Sequence, residues 1–241
     1  MEFINLGDTK LATQFVAIAL FREIQRNKHA KLGLATGGTM EAVYEHLVHL
    51  IQRNPIDLSE IQTFNLDEYY EIDTQSEQSY LYYMKHHLFN HVDIKDSQYH
   101  FPGNAAEHFE ADYQAYDDLI MKGAPITLQI LGIGTNGHIG FNEPGTSFDS
   151  VTRKVDLTEE TIRANARYFE SIEAVPRQAV TMGISTIMKS NRIILLATGE
   201  KKKPIIQKLY QLNNPDETIP ASVLLRHSDV LIVTDDAASP Y

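Results

Sequence analysis

Short apolar runs alternate along the chain with longer segments in which apolar residues recur every three or four positions. Uninterrupted apolar runs are typical of strands buried on both faces, and the longer period is typical of helices packed on a sheet. The runs that predict strands span residues 31–35, 61–66, 125–131, 179–182, 192–197 and 229–234. The segments that predict helices begin at Asp8 or Thr9, cover 40–49, 77–90 and 105–121, and resume near Glu200. The alternation predicts an α/β fold with a mostly parallel sheet covered on both faces.

Chain length and linker composition bear on the number of domains. The 241 residues are enough for one large domain or two small ones. However, no Pro-, Gly- or Ser-rich linker and no internal repeat divides the sequence. We therefore expect residues 1–241 to form a single domain.

The balance of charge limits the partners that the protein can have. The formal net charge is −11, which disfavours non-specific binding to nucleic acid or to an anionic membrane. No apolar run approaches the ~18 residues of a membrane span, and the N-terminus does not resemble a signal peptide. The absence of cysteine excludes disulfides and thiolate chemistry. We expect a cytoplasmic protein, in which any anionic substrate must meet a local positive site.

A glycine-rich loop follows the run at 125–131 and carries the strongest candidate chemistry. Five glycines between positions 132 and 145 are interleaved with Asn136, His138 and Glu143. Glycine lets a backbone turn sharply near a ligand, and a histidine beside a carboxylate can move protons near neutral pH. Because the carboxyl ends of parallel strands share one edge of a sheet, this loop and those at 36–39, 67–68 and 198–203 are expected to converge on a single pocket.

The segment Thr-Gly-Gly-Thr at 36–39 suits phosphate binding, because unpaired N–H groups at a helix N-terminus attract anions. It lacks the residues of a Walker A loop and of the dinucleotide motif, and a plain tight turn remains an alternative. Asp67 and Glu68 offer a candidate general base, with solvated residues at a helix start as the alternative.

The remaining charged residues give weaker signals. The histidines at 46, 49, 86, 87 and 91 have helical spacings, but no acidic motif completes a metal site, so we interpret them as surface residues. The lysines at 201–203 could be an ordinary solvated helix start, but three cations at the positive end of a helix dipole are unfavourable and suggest a bound anion. Arg163 and Arg167, four positions apart, are expected to share a helix face and could clamp an anion.

Five segments in register resemble the glucosamine-6-phosphate deaminase family, also called glucosamine-6-phosphate isomerase. They are Leu-Ala-Thr-Gly-Gly-Thr at 34–39, Phe-Asn-Leu-Asp-Glu-Tyr at 64–69, Gly-His-Ile-Gly-Phe-Asn-Glu-Pro at 137–144, Asn-Ala-Arg-Tyr-Phe at 165–169 and Ala-Val-Thr-Met-Gly at 179–183. The resemblance implies a Rossmann-like three-layer αβα sandwich. It also implies conversion of α-D-glucosamine 6-phosphate and water to fructose 6-phosphate and ammonium, with no redox or metal cofactor.

The resemblance also implies a role for individual residues. Asp67 matches the base that takes the C2 proton and returns it at C1. His138 matches the group that opens the sugar ring, and Glu143 matches the carboxylate that orients it. The positions that match the phosphate site are Gly37, Gly38, Thr39, Arg167 and Lys202.

Two positions depart from the family pattern. Asn136 stands where many members have Asp, so it is expected to take part in ring opening with an altered electrostatic role. Val155 stands where members activated by N-acetylglucosamine 6-phosphate carry a cation, and those members also have a longer C-terminal segment. We therefore expect weak or absent activation, and a monomer or small homo-oligomer.

Two other readings stay open beside the deaminase. One is a non-catalytic sugar-phosphate sensor of the same fold, which would be expected to carry a DNA-binding segment and to lose the acid–base residues. The other is a related enzyme, either a pentose-phosphate isomerase or a 6-phosphogluconolactonase. Neither enzyme accounts for the segments at 64–69 and 137–144 together.

Overall fold

A computed structural model describes residues 1–103 and 109–241. Its strands are β1 Glu2–Asn5, β2 Lys31–Leu34, β3 Gln62–Asn65, β4 Asp67–Tyr69, β5 Tyr99–His100, β6 Leu128–Leu131, β7 Arg153–Asp156, β8 Gln178–Thr181, β9 Ile193–Ala197 and β10 Val230–Thr234. Its helices are α1 Thr9–Arg26, α2 Gly38–Arg53, α3 Tyr80–His87, α4 Phe109–Met121, α5 Glu159–Asn165, α6 Ile184–Ile187 and α7 Lys203–Gln211.

The central sheet has seven strands, all parallel, in the order β1-β10-β9-β6-β2-β3-β5. Every residue of β6 and β9 is buried, which explains why these strands show no polar alternation in the sequence. The predicted α/β fold with a mostly parallel sheet is thus confirmed. Among the described residues, no helix is long and apolar enough to cross a membrane.

Helices α1 and α2 pack against each other beside the sheet. The Asp8 carboxylate accepts a hydrogen bond from the Leu11 N–H at 2.7 Å and caps α1, as one of the two predicted starts required. The residues of α1 that face the core include Val16, Leu20 and Ile24, which recur at helical spacing. Their burial fixes α1 in place, and α2 brings its N-terminus to the end of β2.

The strand order reverses between β2 and β6. After β2 the chain adds β3 and β5 on one side, and it then returns to add β6, β9 and β10 on the other. Loops that leave neighbouring strands in opposite directions open a crevice at the carboxyl ends of those strands. The segment at 36–39 and the glycine-rich loop are the two walls of that crevice.

A second sheet corrects part of the sequence prediction. The run at 179–182 forms β8, but β8 lies outside the parallel sheet and pairs antiparallel with β4 and β7 in the order β4-β8-β7. The residues around Asp67 therefore form a strand that pairs with β8, where Asp67 is opposite Thr181. Strands β1, β5 and β7 were not predicted, since each has at most four residues and none is an uninterrupted apolar run.

Two predicted helices differ in extent. The stretch at 77–90 is helical only over α3, followed by a 3₁₀ turn at Phe89–His91. Of the stretch at 105–121, α4 covers Phe109–Met121, and residues 105–108 lie outside the described part of the chain. Arg163 and Arg167 do not share one helix, because α5 ends at Asn165 and Arg167 lies in the 3₁₀ turn Ala166–Tyr168.

Candidate active site

A cleft of about 1100 Å³ opens at the carboxyl ends of the central strands. It brings together segments that are far apart in the sequence. The predicted site residues that line it are Gly37, Gly38, Thr39, Asp67, Asn136, His138, Arg167 and Lys202. Glu143 lies behind His138 and contacts it, whereas Arg163 is exposed and does not line the cleft.

The N-terminus of α2 forms one end of the cleft. Gly37 has φ +117°, a conformation that favours glycine, and its carbonyl accepts hydrogen bonds from the Met40 N–H at 2.9 Å and the Tyr83 hydroxyl at 2.8 Å. The N–H groups of Gly38 and Thr39 have no carbonyl partner within the helix, because they belong to its first turn. Together with the helix dipole, they offer an anion site.

Two cations face the same region. Burial lowers the pKa of Lys202, and the positive charges of Arg167 and Lys201 lower it further. The Lys202 ammonium donates a hydrogen bond to the Ile133 carbonyl at 2.5 Å. The Arg167 guanidinium stacks on the Tyr168 ring at 4.7 Å and donates to its hydroxyl at 2.7 Å. A bound anion would stabilise two cations that line the same cleft, which agrees with a phosphate subsite.

Asp67 is the buried carboxylate of the cleft, with 7% of its surface exposed. Burial raises its pKa to about 8, and the neighbouring charge of Glu68 contributes to the shift. A carboxylate whose ionised form is disfavoured becomes a stronger base once it is ionised. The alternative of a solvated residue at a helix start is therefore wrong for Asp67.

Glu68 is also buried, but it points to the start of α3. Its two oxygens accept hydrogen bonds from the N–H groups of Tyr69 at 2.9 Å, Tyr80 at 3.0 Å and Leu81 at 3.0 Å. Burial raises the pKa of Glu68 to about 7, and the three backbone donors oppose that rise. Glu68 thus connects the Asp67 strand to α3, while Asp67 faces the cleft.

His138 and Glu143 form a pair across the glycine-rich loop. The Nδ1 atom of His138 lies 3.4 Å from Oε2 of Glu143, and the two side chains are 28% and 14% exposed. Burial opposes the ionisation of Glu143, but hydrogen bonds and the charge of His138 outweigh it and lower the pKa of Glu143 to about 2. Glu143 is therefore an anion at any physiological pH.

Asn136 contacts both members of this pair, but its side chain makes no hydrogen bond to the His138 imidazole. Its Nδ2 donates to Oε2 of Glu143 at 2.8 Å, and its Oδ1 accepts from the backbone N–H of His138 at 3.1 Å. The amide is suited to this place because it donates on one side and accepts on the other. An aspartate here would put a second carboxylate beside Glu143.

Several contacts at the site were not predicted from the sequence. The hydroxyl of Thr161 donates to Oε1 of Glu143 at 2.6 Å, and Asn165 donates to the Tyr69 hydroxyl at 2.9 Å. Both donors belong to α5, whose start was marked by Thr158 before two glutamates, a pattern typical of an N-cap. That signal locates the helix but does not reveal which distant side chains it meets. Among the described residues, no cluster of three acidic or histidine side chains is arranged to hold a metal ion.

A helix N-terminus, a buried carboxylate and a histidine–carboxylate pair meet at the switch point of a parallel sheet. This arrangement is typical of an α/β enzyme and is suited to a phosphorylated substrate. The family model described as glucosamine-6-phosphate isomerases/6-phosphogluconolactonase matches residues 9–233. The chain belongs to this family.

Curated relatives match over the whole chain. The chain is 50% identical over 241 residues to the glucosamine-6-phosphate deaminase of Staphylococcus saprophyticus, with 100% of this chain and 99% of the relative covered. It is 48% identical over 242 residues to the corresponding deaminase of Staphylococcus aureus, with 100% and 95% covered. The resemblance seen in the sequence is thereby confirmed.

Solved structures agree in fold. A monomeric glucosamine-6-phosphate deaminase superposes with a TM-score of 0.95 at 43% identity, covering 99% of this chain and 98% of the other. A 6-phosphogluconolactonase from Thermotoga maritima superposes with a TM-score of 0.74 at 20% identity, covering 97% and 98%. At that identity the second likeness concerns the fold alone.

Proposed function

We propose that this protein converts α-D-glucosamine 6-phosphate and water to fructose 6-phosphate and ammonium. The observation that carries the proposal is that one cleft brings together a buried carboxylate, a histidine backed by a second carboxylate, and a helix N-terminus with two cations. Asp67 is a buried base, and His138 is backed by an ionised Glu143. The two staphylococcal glucosamine-6-phosphate deaminases, at 50% and 48% identity to this chain, support the same reaction.

Substrate binding begins at the phosphate. At the start of α2, the N–H groups of Gly38 and Thr39 donate hydrogen bonds to the phosphate oxygens, and Arg167 and Lys202 neutralise the phosphate charge. This local positive site overcomes the repulsion of a chain with net charge −11. It also fixes the sugar, so that C1 and C2 reach the acid–base groups.

Ring opening is the first chemical step. His138 takes the proton from the O1 hydroxyl and delivers one to O5 as the C1–O5 bond breaks, which leaves an aldehyde at C1. Glu143 holds the imidazole and stabilises its protonated form, and Asn136 holds Glu143. In this proposal Asn136 is a positioning residue rather than a group that exchanges protons.

Isomerisation and deamination follow. Asp67 removes the C2 proton, which the adjacent C1 carbonyl has made acidic, while the C1 oxygen takes up one proton of the substrate's ammonium. Asp67 then returns its proton to C1 of the resulting enolamine. The product is a C2 imine, to which water adds before ammonia leaves and a ketone remains at C2. The positive charge of the substrate's amine favours the ionised form of Asp67 and offsets the cost of its burial.

Purified protein incubated with glucosamine 6-phosphate tests the proposal through the ammonium and fructose 6-phosphate released. Turnover is expected, and its absence in folded protein would overturn the enzyme assignment. The roles separate further: Asp67→Asn should abolish exchange of the C2 proton while substrate still binds. His138→Gln should slow reaction of the cyclic substrate more than that of an analogue that stays open-chain. Equal losses on both would contradict a ring-opening role.

Hydrolysis of 6-phosphogluconolactone is the alternative that the family description leaves open. It needs an activated water but no base placed for a C2 proton, so the buried Asp67 favours the deaminase. Assaying both substrates with the same preparation decides between them. A faster reaction with the lactone would replace the proposed function.

We also propose that the enzyme is a single domain that acts as a monomer without activation by N-acetylglucosamine 6-phosphate. The similarity to a deaminase described as monomeric supports this state. The Val155 side chain packs on an apolar cluster with Leu157 and Ile162, where a cationic site would need a charged group. Light scattering and a titration with the effector test both points. A stable oligomer or sigmoidal, effector-dependent kinetics would contradict them, and the cytoplasmic location stays a prediction.

A further inference from the structure

The two carboxylate oxygens of Glu143 are held by different parts of the fold. Oε2 accepts a hydrogen bond from the Asn136 side-chain amide at 2.8 Å and faces His138, and all three residues belong to the glycine-rich loop. Oε1 accepts a hydrogen bond from the Thr161 hydroxyl at 2.6 Å and a longer one from the Thr158 hydroxyl at 3.4 Å. Both threonines lie at the start of α5. Thr161 therefore supplies the shorter of the two contacts that fix Oε1.

Thr161 is placed for this contact rather than for capping its own helix. Thr158 is the N-cap of α5, and its hydroxyl accepts the backbone N–H of Thr161 at 3.2 Å. Thr161 is 6% exposed, and its hydroxyl accepts a hydrogen bond from the Thr158 hydroxyl at 3.1 Å while it donates to Glu143, 18 positions earlier. A buried hydroxyl with this geometry holds a charged acceptor in a fixed direction.

The same face of α5 touches the other half of the site. Asn165, four residues after Thr161, donates to the hydroxyl of Tyr69 at 2.9 Å, and Tyr69 lies on β4 with Asp67. Residues four apart lie on one side of a helix. Helix α5 is thus anchored at both ends, so Thr161 holds Glu143 from a fixed base.

We propose that Thr161 is a positioning residue for ring opening, which fixes Oε1 of Glu143 so that Oε2 stays directed at His138. This inference rests on the proposed deaminase function. Without the hydroxyl, Oε1 keeps only the long contact to Thr158, and the carboxylate is free to rotate away from the imidazole. The ionised state of Glu143 would also lose one of its supporting hydrogen bonds.

Thr161→Val tests this role because valine keeps the shape of threonine and replaces its hydroxyl with a methyl group that cannot donate a hydrogen bond. For cyclic glucosamine 6-phosphate we expect kcat/KM to fall by about 10- to 100-fold, the effect of losing a hydrogen bond to a charged group. For the 4,5-dideoxy analogue, which stays open-chain, kcat/KM should remain within about twofold of the wild type, because Asp67 is untouched. Thr161→Ser should restore the ratio of the two rates.

The matched control is Ile162→Val, which removes a buried methyl group from α5 but leaves the 2.6 Å contact in place. It should lower the melting temperature and keep the wild-type ratio of cyclic to open-chain rates. If Ile162→Val changed this ratio as much as Thr161→Val, a general loosening of α5 would explain the result and the inference would be wrong. An unchanged ratio in Thr161→Val would overturn it as well.

A second variant and a wild-type assay separate failure of this inference from failure of the proposed function. If Thr161→Val does not fold, Thr161→Ala is used with the same expected change in the ratio and the same condition for rejection. Wild-type protein is assayed in parallel on the cyclic substrate. No turnover by the wild type would refute the proposed function, whereas wild-type turnover with an unaltered variant ratio would refute only the role of Thr161.

Discussion

Gly140 passes directly over Asp67, with no side chain between the glycine-rich loop and the buried carboxylate. A Cβ atom added at Gly140 would lie 3.3 Å from Oδ2 of Asp67 and 2.9 Å from the Thr181 hydroxyl. Gly140 also has φ +57°, in the left-handed region. The loop that carries His138 and the strand that carries Asp67 therefore meet at a glycine, and this contact sets the spacing of the two halves of the site.

Gly140→Ala should displace one half of the site from the other. We expect kcat/KM to fall by about 100-fold, since misplacing reacting groups by about 1 Å has effects of that size. The control is Gly123→Ala, which has φ +82° and no atom within 4 Å of the added Cβ. Both variants bear the strain of a left-handed alanine, about 1–2 kcal/mol, which thermal melting measures. Equal activities in the two variants would show that contact with Asp67 is unimportant.

The ionisation of Asp67 should govern the acid side of the pH profile. A base must be ionised to act, and the pKa of Asp67 is raised to about 8 by burial and by Glu68. We expect kcat/KM to fall by about tenfold per pH unit below that value. Glu143 does not account for this fall, because its pKa is lowered to about 2.

Glu68→Gln supplies the internal check on that assignment. Removing the Glu68 charge removes one cause of the raised pKa, so the acid side of the profile should move to lower pH. Glu68 is not one of the described residues that line the cleft, so any change in the pH profile of this variant would act through Asp67. A profile that stayed in place in this variant would assign the acid side to another group.

Burial of Asp67 should also cost stability at neutral pH. Its pKa is near 3.8 when unfolded and about 8 when folded, so the unfolded chain binds fewer protons between these values and stability falls as pH rises. Asp67→Asn removes this cost. Its melting temperature should exceed that of the wild type by at least about 2–4 °C at pH 8, which corresponds to about 1 kcal/mol, and by much less near pH 4.

Asp57→Asn is the control with the opposite sign. Backbone and side-chain hydrogen bonds from Ser59 lower the pKa of Asp57, so its charge stabilises the fold above the unfolded pKa and this contribution is lost as pH falls. The variant should be slightly less stable than the wild type at neutral pH. A melting temperature for Asp67→Asn that did not change with pH relative to the wild type would contradict the raised pKa.

The parallel sheet could be predicted from the sequence because its central strands are buried on both faces. The run that forms β9 is apolar at every position, and its short length between two helical segments favours a buried strand over a buried helix. The antiparallel sheet could not be predicted. Strand β7, Arg-Lys-Val-Asp, is four residues long and mostly polar, and it forms because β8 lies beside it. Pairing with a distant segment leaves no local pattern.

The same distinction applies to the candidate site. Loops at strand ends could be assigned to one cleft, since parallel strands place their carboxyl ends together. The different surroundings of Asp67 and Glu68 could not be predicted, because they depend on which carboxylate meets the N–H groups of α3. The contact of Thr161 with Glu143 escaped for the same reason: neither residue is marked by its neighbours in the sequence.

Lys202 should contribute to binding of the phosphate rather than to the chemical steps. Lys202 and Arg167 line the same cleft, and burial and the charge of Arg167 lower the pKa of Lys202, so a bound anion would stabilise the ammonium. Lys202→Gln should raise KM for glucosamine 6-phosphate by about 10-fold or more, with a smaller change in kcat. Inorganic phosphate is expected to compete with the substrate in the wild type and to inhibit the variant much less.

Lys208→Gln is the matched control, since Lys208 is an exposed lysine on α7 that does not line the cleft. It removes the same charge from the chain and tests whether net charge alone weakens binding. We expect KM within about twofold of the wild type, because salt and solvent screen an exposed charge outside the cleft. If the two lysine variants raised KM equally, or if Lys202→Gln lowered kcat alone, Lys202 would not be a phosphate ligand.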